Sequence, residues 1–243
     1  MHRGSQQVDV YDAKTCTLQR RVRIVGLGVI GGPCGLAACA HYQCLYASDY
    51  TNDRIHRIEL TGSNAVKNWS VARSPRGLSV DKAHNVVVAC RGTKGVQEYT
   101  THGTLVREIS LKNALTNPWH AVQLSTCDYV VSQDTSPGEV IVVEVDGRVV
   151  RRYSPSHSSD LGQMAYPRNL VVTNNDDILV ADRDNNRILS LNSSLNCAHE
   201  LALPVDGGIE WPCGLCLDES LGRLYIGEES GQRRVLVFDR VRL

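Results

Sequence analysis

Tyr166-Pro-Arg-Asn-Leu170, followed by Val180-Ala-Asp-Arg-Asp-Asn-Asn-Arg-Ile188, is the stretch that decides the fold. A proline opens a short apolar run, a small residue closes a second run, and a polar loop leads into a third. Working outward, four further segments open alike: Pro33-Cys-Gly-Leu-Ala, Pro75-Arg-Gly-Leu-Ser, Pro118-Trp-His-Ala-Val and Pro212-Cys-Gly-Leu-Cys. The prolines lie 42, 43, 49 and 45 residues apart. A small residue, in turn Ser48, Ala89, Ser132, Ala181 and Gly227, follows each proline by 14 or 15 residues. Alternating runs such as Ile55–Leu60, Val140–Val145 and Val235–Phe238 come next, then turns such as Thr61-Gly62 and Asp146-Gly147, then runs such as Leu105–Ile109 and Val149–Tyr153. Four strand-length runs per period of this size, without helical periodicity, predict an all-β propeller of four-stranded blades. One blade cannot cover both faces of its own sheet, so blades stack. Proline suits the first residue of an inner strand, and a following glycine suits a narrow axis.

The chain is 243 residues long, with 26 basic and 26 acidic side chains. Zero net charge excludes a histone-like DNA binder but leaves a local basic face open. No run approaches the roughly 18 apolar residues of a membrane helix. The first seven residues lack an apolar signal segment, so a cytoplasmic location is expected. Nine cysteines, an odd number, argue for reduced thiols rather than a disulfide framework, and the sequons at Asn68 and Asn192 are the features that point to secretion. The expected organisation is one propeller domain over 1–243, with blades opening near Pro33, Pro75, Pro118, Pro167 and Pro212. Residues 8–25 read as the last strands of a first or closing blade. Either Leu18–Val25 closes a five-bladed ring, or the chain is part of a six-bladed parent.

The repeat resembles the NHL repeat, which runs from a glycine-rich linker through Pro-x-Gly-apolar to a strand ending in Ala-Asp and then Asn-x-Arg-apolar. Residues 166–188 and the copy from Gly32 to Ile55 carry it best. The second copy has Ala89-Cys90 where Asp is usual, and the third has Trp119-His120 after its proline and Gln133 in the Asp place. The resemblance implies a propeller such as those that end tripartite-motif proteins. That would make the chain the substrate or scaffold module of a ubiquitin ligase whose chemistry lies elsewhere. It also implies a top face that binds a protein or RNA.

Other motifs have plainer readings. Gly26-Leu-Gly28-Val-Ile-Gly31 matches GxGxxG, but Gly32-Pro33 and Gly35 follow where a dinucleotide site needs a continuing helix. It also occupies the linker place of the repeat. Cys213 and Cys216, three apart on a strand, point to opposite faces and cannot easily grip one ion; small buried hydrophobes are the expected state of the cysteines. No zinc-type histidine spacing occurs, and His120 with Gln133 and Asp134 cannot form a metal cage from one blade. No catalytic residue, metal or cofactor is therefore expected.

The loops that precede the inner strands and those that follow the second strands emerge on one face of a propeller. They carry Tyr50, Arg73, Arg76, Arg91, Lys94, Trp119, His120, Tyr166, Arg168, Asn169, Arg183, Asn185 and Arg233. The binding set is expected in Tyr50, Arg76, Arg91, Trp119, His120, Arg168, Asn169 and Arg183. Arginine with aromatic rings suits a protein hot spot. It also suits single-stranded RNA, through phosphate contacts and base stacking, along a path over Arg76–Arg91 and Arg168–Arg183. Asp49 with Arg54 and Asp182 with Arg187 read as pairs bracing their own loops, and the acids Asp134, Glu139, Glu228 and Glu229 dilute the basic field. Residues Ser154–Tyr166, the longest inter-blade connection, read as a flexible recognition loop or a tolerated surface insertion. A non-catalytic platform for a protein partner is the leading expectation. Single-stranded RNA binding is the alternative, a propeller hydrolase or lyase the next, and neither DNA nor a membrane is expected as partner.

Overall fold

The computed structural model describes residues 6–28, 34–62, 64–153, 161–229 and 234–241. Pro33, Gly31, Arg233 and the Ser154–Asp160 part of the long connection lie outside the described residues. The fold is all-β, a β-propeller of five blades in chain order. Among the described residues the helical content is a single 3-10 turn, Arg183–Asn185, and no helix is long and apolar enough to cross a membrane. The chain divides into two compact units, residues 1–108 and 109–243, which are described in turn.

The first unit opens with a two-stranded ladder in which β1 (Gln7–Tyr11) pairs with β2 (Leu18–Arg23), the hairpin expected near residues 8–25. The first blade follows: β3 (Leu36–Cys39), β4 (Cys44–Asp49), β5 (Arg54–Glu59) and β6 (Val66–Ser70). The second blade is β7 (Pro75–Val80), β8 (Val86–Cys90), β9 (Gly95–Tyr99) and β10 (Leu105–Ser110). Both sheets are antiparallel meanders of four strands. Tyr46 and Ile55 of the first blade meet Leu78, Val86, Val88 and Tyr99 of the second in one core.

The second unit holds three blades. The third is β11 (Pro118–Gln123), β12 (Tyr129–Gln133), β13 (Glu139–Val143) and β14 (Val149–Arg152). The fourth is β15 (Pro167–Val172), β16 (Ile178–Asp182), β17 (Arg187–Leu191) and β18 (Ala198–Glu200). The fifth has three strands among the described residues: β19 (Pro212–Asp218), β20 (Arg223–Glu228) and β21 (Val235–Asp239). Strand β16 shows why the repeat packs. Side chains alternate across a strand, so Ile178 and Val180 enter the core shared with the third blade, while Leu179 and Ala181 enter the core shared with the fifth.

Two repeated hydrogen bonds and one close approach hold linkers and blades together. The side chain closing each second strand accepts a hydrogen bond from the linker before the inner-strand proline. Asp182 accepts the Ala165 N–H at 2.7 Å, Gln133 the Thr116 N–H at 2.6 Å, and Glu228 the Glu210 N–H at 2.9 Å. Asp49 accepts the Gly28 N–H at 2.8 Å. Cys90 cannot serve this way, and Gln97 on the next strand accepts the Ala72 N–H instead. The departures in the second and third copies therefore preserve an acceptor rather than lose it. Next, a serine one residue earlier bridges blades: Ser48 Oγ donates to the Arg76 carbonyl and Ser132 Oγ to that of Arg168. Finally, the residue two beyond the proline lies against the next inner strand. A Cβ on Gly35 would stand 2.5 Å from the Arg76 carbonyl oxygen, so only glycine fits there.

Several expectations are corrected. Arg54 does not brace Asp49; it donates to Asn68, and Asp49 bonds Gly28, Thr51 and Asn52 instead. Arg187 does pair with Asp182, at 2.8 Å. The nine cysteines are free thiols, but Cys16, Cys127, Cys197 and Cys216 are exposed rather than small core groups. Gly26 and Gly28 lie in a turn and linker, and residues 24–28 hold no helix. The described end of the long connection is packed: Met164 is fully buried and its carbonyl accepts the Gly138 N–H.

Candidate functional site

The linker carries the chain from one blade's outer edge to the next blade's proline, where the backbone must turn sharply. In the second, fourth and fifth blades the residue before the proline is left-handed: Ser74 at φ 56°, Tyr166 at 54° and Trp211 at 47°. The first copy has glycine there, Gly32. Hydrogen bonds from the backbone fix the geometry: the Tyr166 N–H donates to the Thr135 carbonyl, and the Trp211 N–H to the side-chain Oδ1 of Asn186 at 2.9 Å. Each of these conformations costs on the order of 1 kcal/mol or more for a bulky residue. Two large rings thus stand where a small residue would be easier, and both reach solvent, Tyr166 at 36% and Trp211 at 41% exposure.

Around Trp211 the second unit assembles an arginine–tryptophan–carboxylate cluster. The Arg168 guanidinium lies 4.3 Å over the Trp119 ring, and that of Arg183 lies 4.3 Å over Trp211. Both guanidiniums converge on Glu229. Arg168 also reaches Asp134 at 3.2 Å, and Arg183 reaches Asp184 at 2.8 Å. Burial works against the Arg168 charge, but Asp134 and Glu229 outweigh it and hold the pKa above the usual arginine value. Stacking of this kind adds about 0.5–2 kcal/mol per pair. The result is a braced rim: the arginines are spent on internal partners, and Trp211 and Tyr166 are presented outward.

The expected site residues divide accordingly. Trp119, Arg168 and Arg183 come together with Trp211, and Asn169 is half-buried beside Arg168 in sequence. His120 is not on an open face. It is 3% exposed, and its Nδ1 accepts the Leu170 N–H at 3.1 Å, so it ties the third inner strand to the fourth. Trp119 and Arg168, each 8% exposed, are also more support than contact surface. In the first unit Arg76 lies 4.6 Å over the half-buried Tyr50 ring and donates to Cys34 Sγ, and Arg91 is exposed. Sequence reasoning passed over Trp211 altogether. The signal was present in the Gly32-Pro33 pair, which marks the place before proline as one that favours φ > 0. Among the described residues no cluster of three or more His, Cys, Asp or Glu side chains is placed to hold a metal.

An NHL-repeat family model matches residues 164–189, the stretch that carries Tyr166, Arg168 and Arg183. A search of curated protein sequences finds no match. Among solved structures the chain is similar to one titled as a nidogen/laminin complex, with a TM-score of 0.75 at 15% identity over 98% of this chain and 87% of that one. It is also similar to a streptogramin B lyase, with a TM-score of 0.62 at 14% identity over 85% and 68%. A gluconolactonase from Xanthomonas campestris gives a TM-score of 0.66 at 17% identity over 85% and 72%. At such identities these likenesses concern the fold, which hosts unrelated activities.

Proposed function

We propose that the chain is a non-catalytic platform that captures a protein partner on the loop rim of its second unit, with Trp211 and Tyr166 as anchors. The observation that carries this reading is the pair of exposed rings held at left-handed backbone positions next to braced arginines. Strained residues persist where the structure has a use for them. Exposed tryptophan, tyrosine and arginine together are the chemistry of protein hot spots. An RNA path over Arg168 and Arg183 draws less support, because Asp134, Asp184 and Glu229 already neutralise both guanidiniums. The repeat resemblance extends the proposal to a role as the substrate or scaffold module of a tripartite-motif-like ubiquitin ligase.

The test is quantitative capture from a lysate of the source cells by the intact chain and by a Tyr166→Ala/Trp211→Ala variant, each with and without ribonuclease. The proposal expects a protein whose recovery falls at least about tenfold in the variant and is indifferent to ribonuclease. Equal recovery by both forms, or loss on ribonuclease treatment, contradicts it.

A further inference from the structure

The second blade differs from the others at one pair of positions. The residue two before the inner-strand proline is Arg73 here, against Thr116, Ala165 and Glu210 in the later blades. The residue after the end of the second strand is Arg91, against Asp134, Arg183 and Glu229. In the second unit Asp134, Arg183 and Glu229 enter the ion pairs already described, while Thr116, Ala165 and Glu210 enter none among the described residues. In the second blade Arg73, Arg91 and Lys94 are all exposed, and none has a side-chain hydrogen bond or ion pair among the described residues.

The two loops are held together by backbone. Arg91 N–H donates to Ser74 O at 3.1 Å and Gly92 N–H to Arg73 O at 3.0 Å. A Cβ on Gly92 would sit 2.7 Å from Arg73 Cβ, so the strands of this loop pair touch and the two arginine side chains leave from adjoining points. Lys94 ends the same turn, its N–H bonded to Arg91 O, and the Thr93 hydroxyl between them is buried without a partner among the described residues. The carboxylate bonded to these loops, Asp53, is engaged by the Ser74 N–H at 2.7 Å.

Resting on the reading of the chain as a protein-binding platform, we propose that this basic loop pair of the second blade, Arg73, Arg91 and Lys94, takes an acidic segment of a polypeptide partner. Three cations without side-chain partners, leaving from adjoining loop positions, attract a run of carboxylates. A single-stranded RNA needs rings for its bases as well, and these loops offer none. The adjacent ring, Tyr50, is half-buried and its face carries the Arg76 guanidinium.

The experiment is fluorescence anisotropy of labelled decaglutamate, and of an oligouridylate of equal charge, titrated with the purified chain at low and near-physiological salt. The proposal expects salt-sensitive decaglutamate binding that weakens at least about tenfold in Arg73→Glu/Arg91→Glu. It expects affinity kept within about threefold in Arg73→Lys/Arg91→Lys, which preserves charge. A Lys14→Glu/Lys82→Glu control, on exposed lysines outside these loops, changes the affinity by less than about twofold. No decaglutamate binding at low salt overturns the proposal, as does equal binding by the Arg→Glu form, an equal loss in the lysine control, or tighter binding of oligouridylate. The measurement uses purified chain and no cellular partner, so its failure leaves capture by Trp211 and Tyr166 standing, and failure of that capture does not alter this result.

Discussion

Tyr166 holds a bulky ring at a backbone angle suited to glycine. At φ 54° it occupies a conformation that glycine adopts without penalty. Tyr166→Gly should therefore leave stability within about 1 kcal/mol of the parent, since relief of strain offsets the lost burial and added chain entropy. Thermal unfolding checks this, and partner capture by the same variant should fall. A second residue-scale prediction concerns His56, which is fully buried, lies 3.5 Å from Asp49 and has no hydrogen-bond partner on either ring nitrogen among the described residues. Burial pushes its pKa down, Arg54 adds to this, and Asp49 opposes it. Because the folded chain resists the proton and the unfolded chain accepts it, stability should fall as pH drops below about 6.5. Gln97 occupies the matching place in the second blade, so His56→Gln should flatten that part of the curve. Denaturant midpoints from pH 7 to 5 would show it, and an unchanged slope in the variant would count against this assignment.

At the scale of the element, the strand-closing acceptors decide whether a linker stays seated. Asp182 is fully buried and serves Ala165, Asn185 and Arg187. Asp182→Ala strands a guanidinium and an amide, and should cost about 3–5 kcal/mol by urea unfolding. Ser132→Ala removes one bond to the Arg168 carbonyl, and Ala181 shows that alanine fits the place. Its expected cost is about 1 kcal/mol. Much of this scale is legible in the sequence. The proline spacing locates the inner strands, and alternation locates the cores on both faces of β16. The acceptor role of Gln133 is harder to read, because amide and carboxylate look unlike on paper yet present the same oxygen to Thr116. The Asp49–Arg54 pairing fails for a related reason: closeness in sequence across a tight loop does not say which of several donors reaches a carboxylate first.

At the scale of the whole molecule, composition reports zero net charge, and the structure distributes it unevenly. The second unit's rim pairs its arginines with Asp134, Asp184 and Glu229, while the second blade leaves Arg73, Arg91 and Lys94 without side-chain partners among the described residues. Reading the loops from the sequence names both sets but cannot separate a spent cation from an available one, since that depends on contacts between residues as distant as Arg168 and Glu229. His120 illustrates the opposite error. A polar side chain at a loop-adjacent position looks accessible until the next inner strand supplies its hydrogen bond.

Partner capture is proposed to run through the rim that presents Trp211 and Tyr166. Amide hydrogen exchange of the chain, alone and saturated with the captured protein, tests it most directly. The account predicts added protection in residues 162–169, 183–187 and 205–211, with strands β12 and β16 unchanged because they are already closed. Protection confined to other loops, with these three segments exchanging as in the free chain, would contradict it.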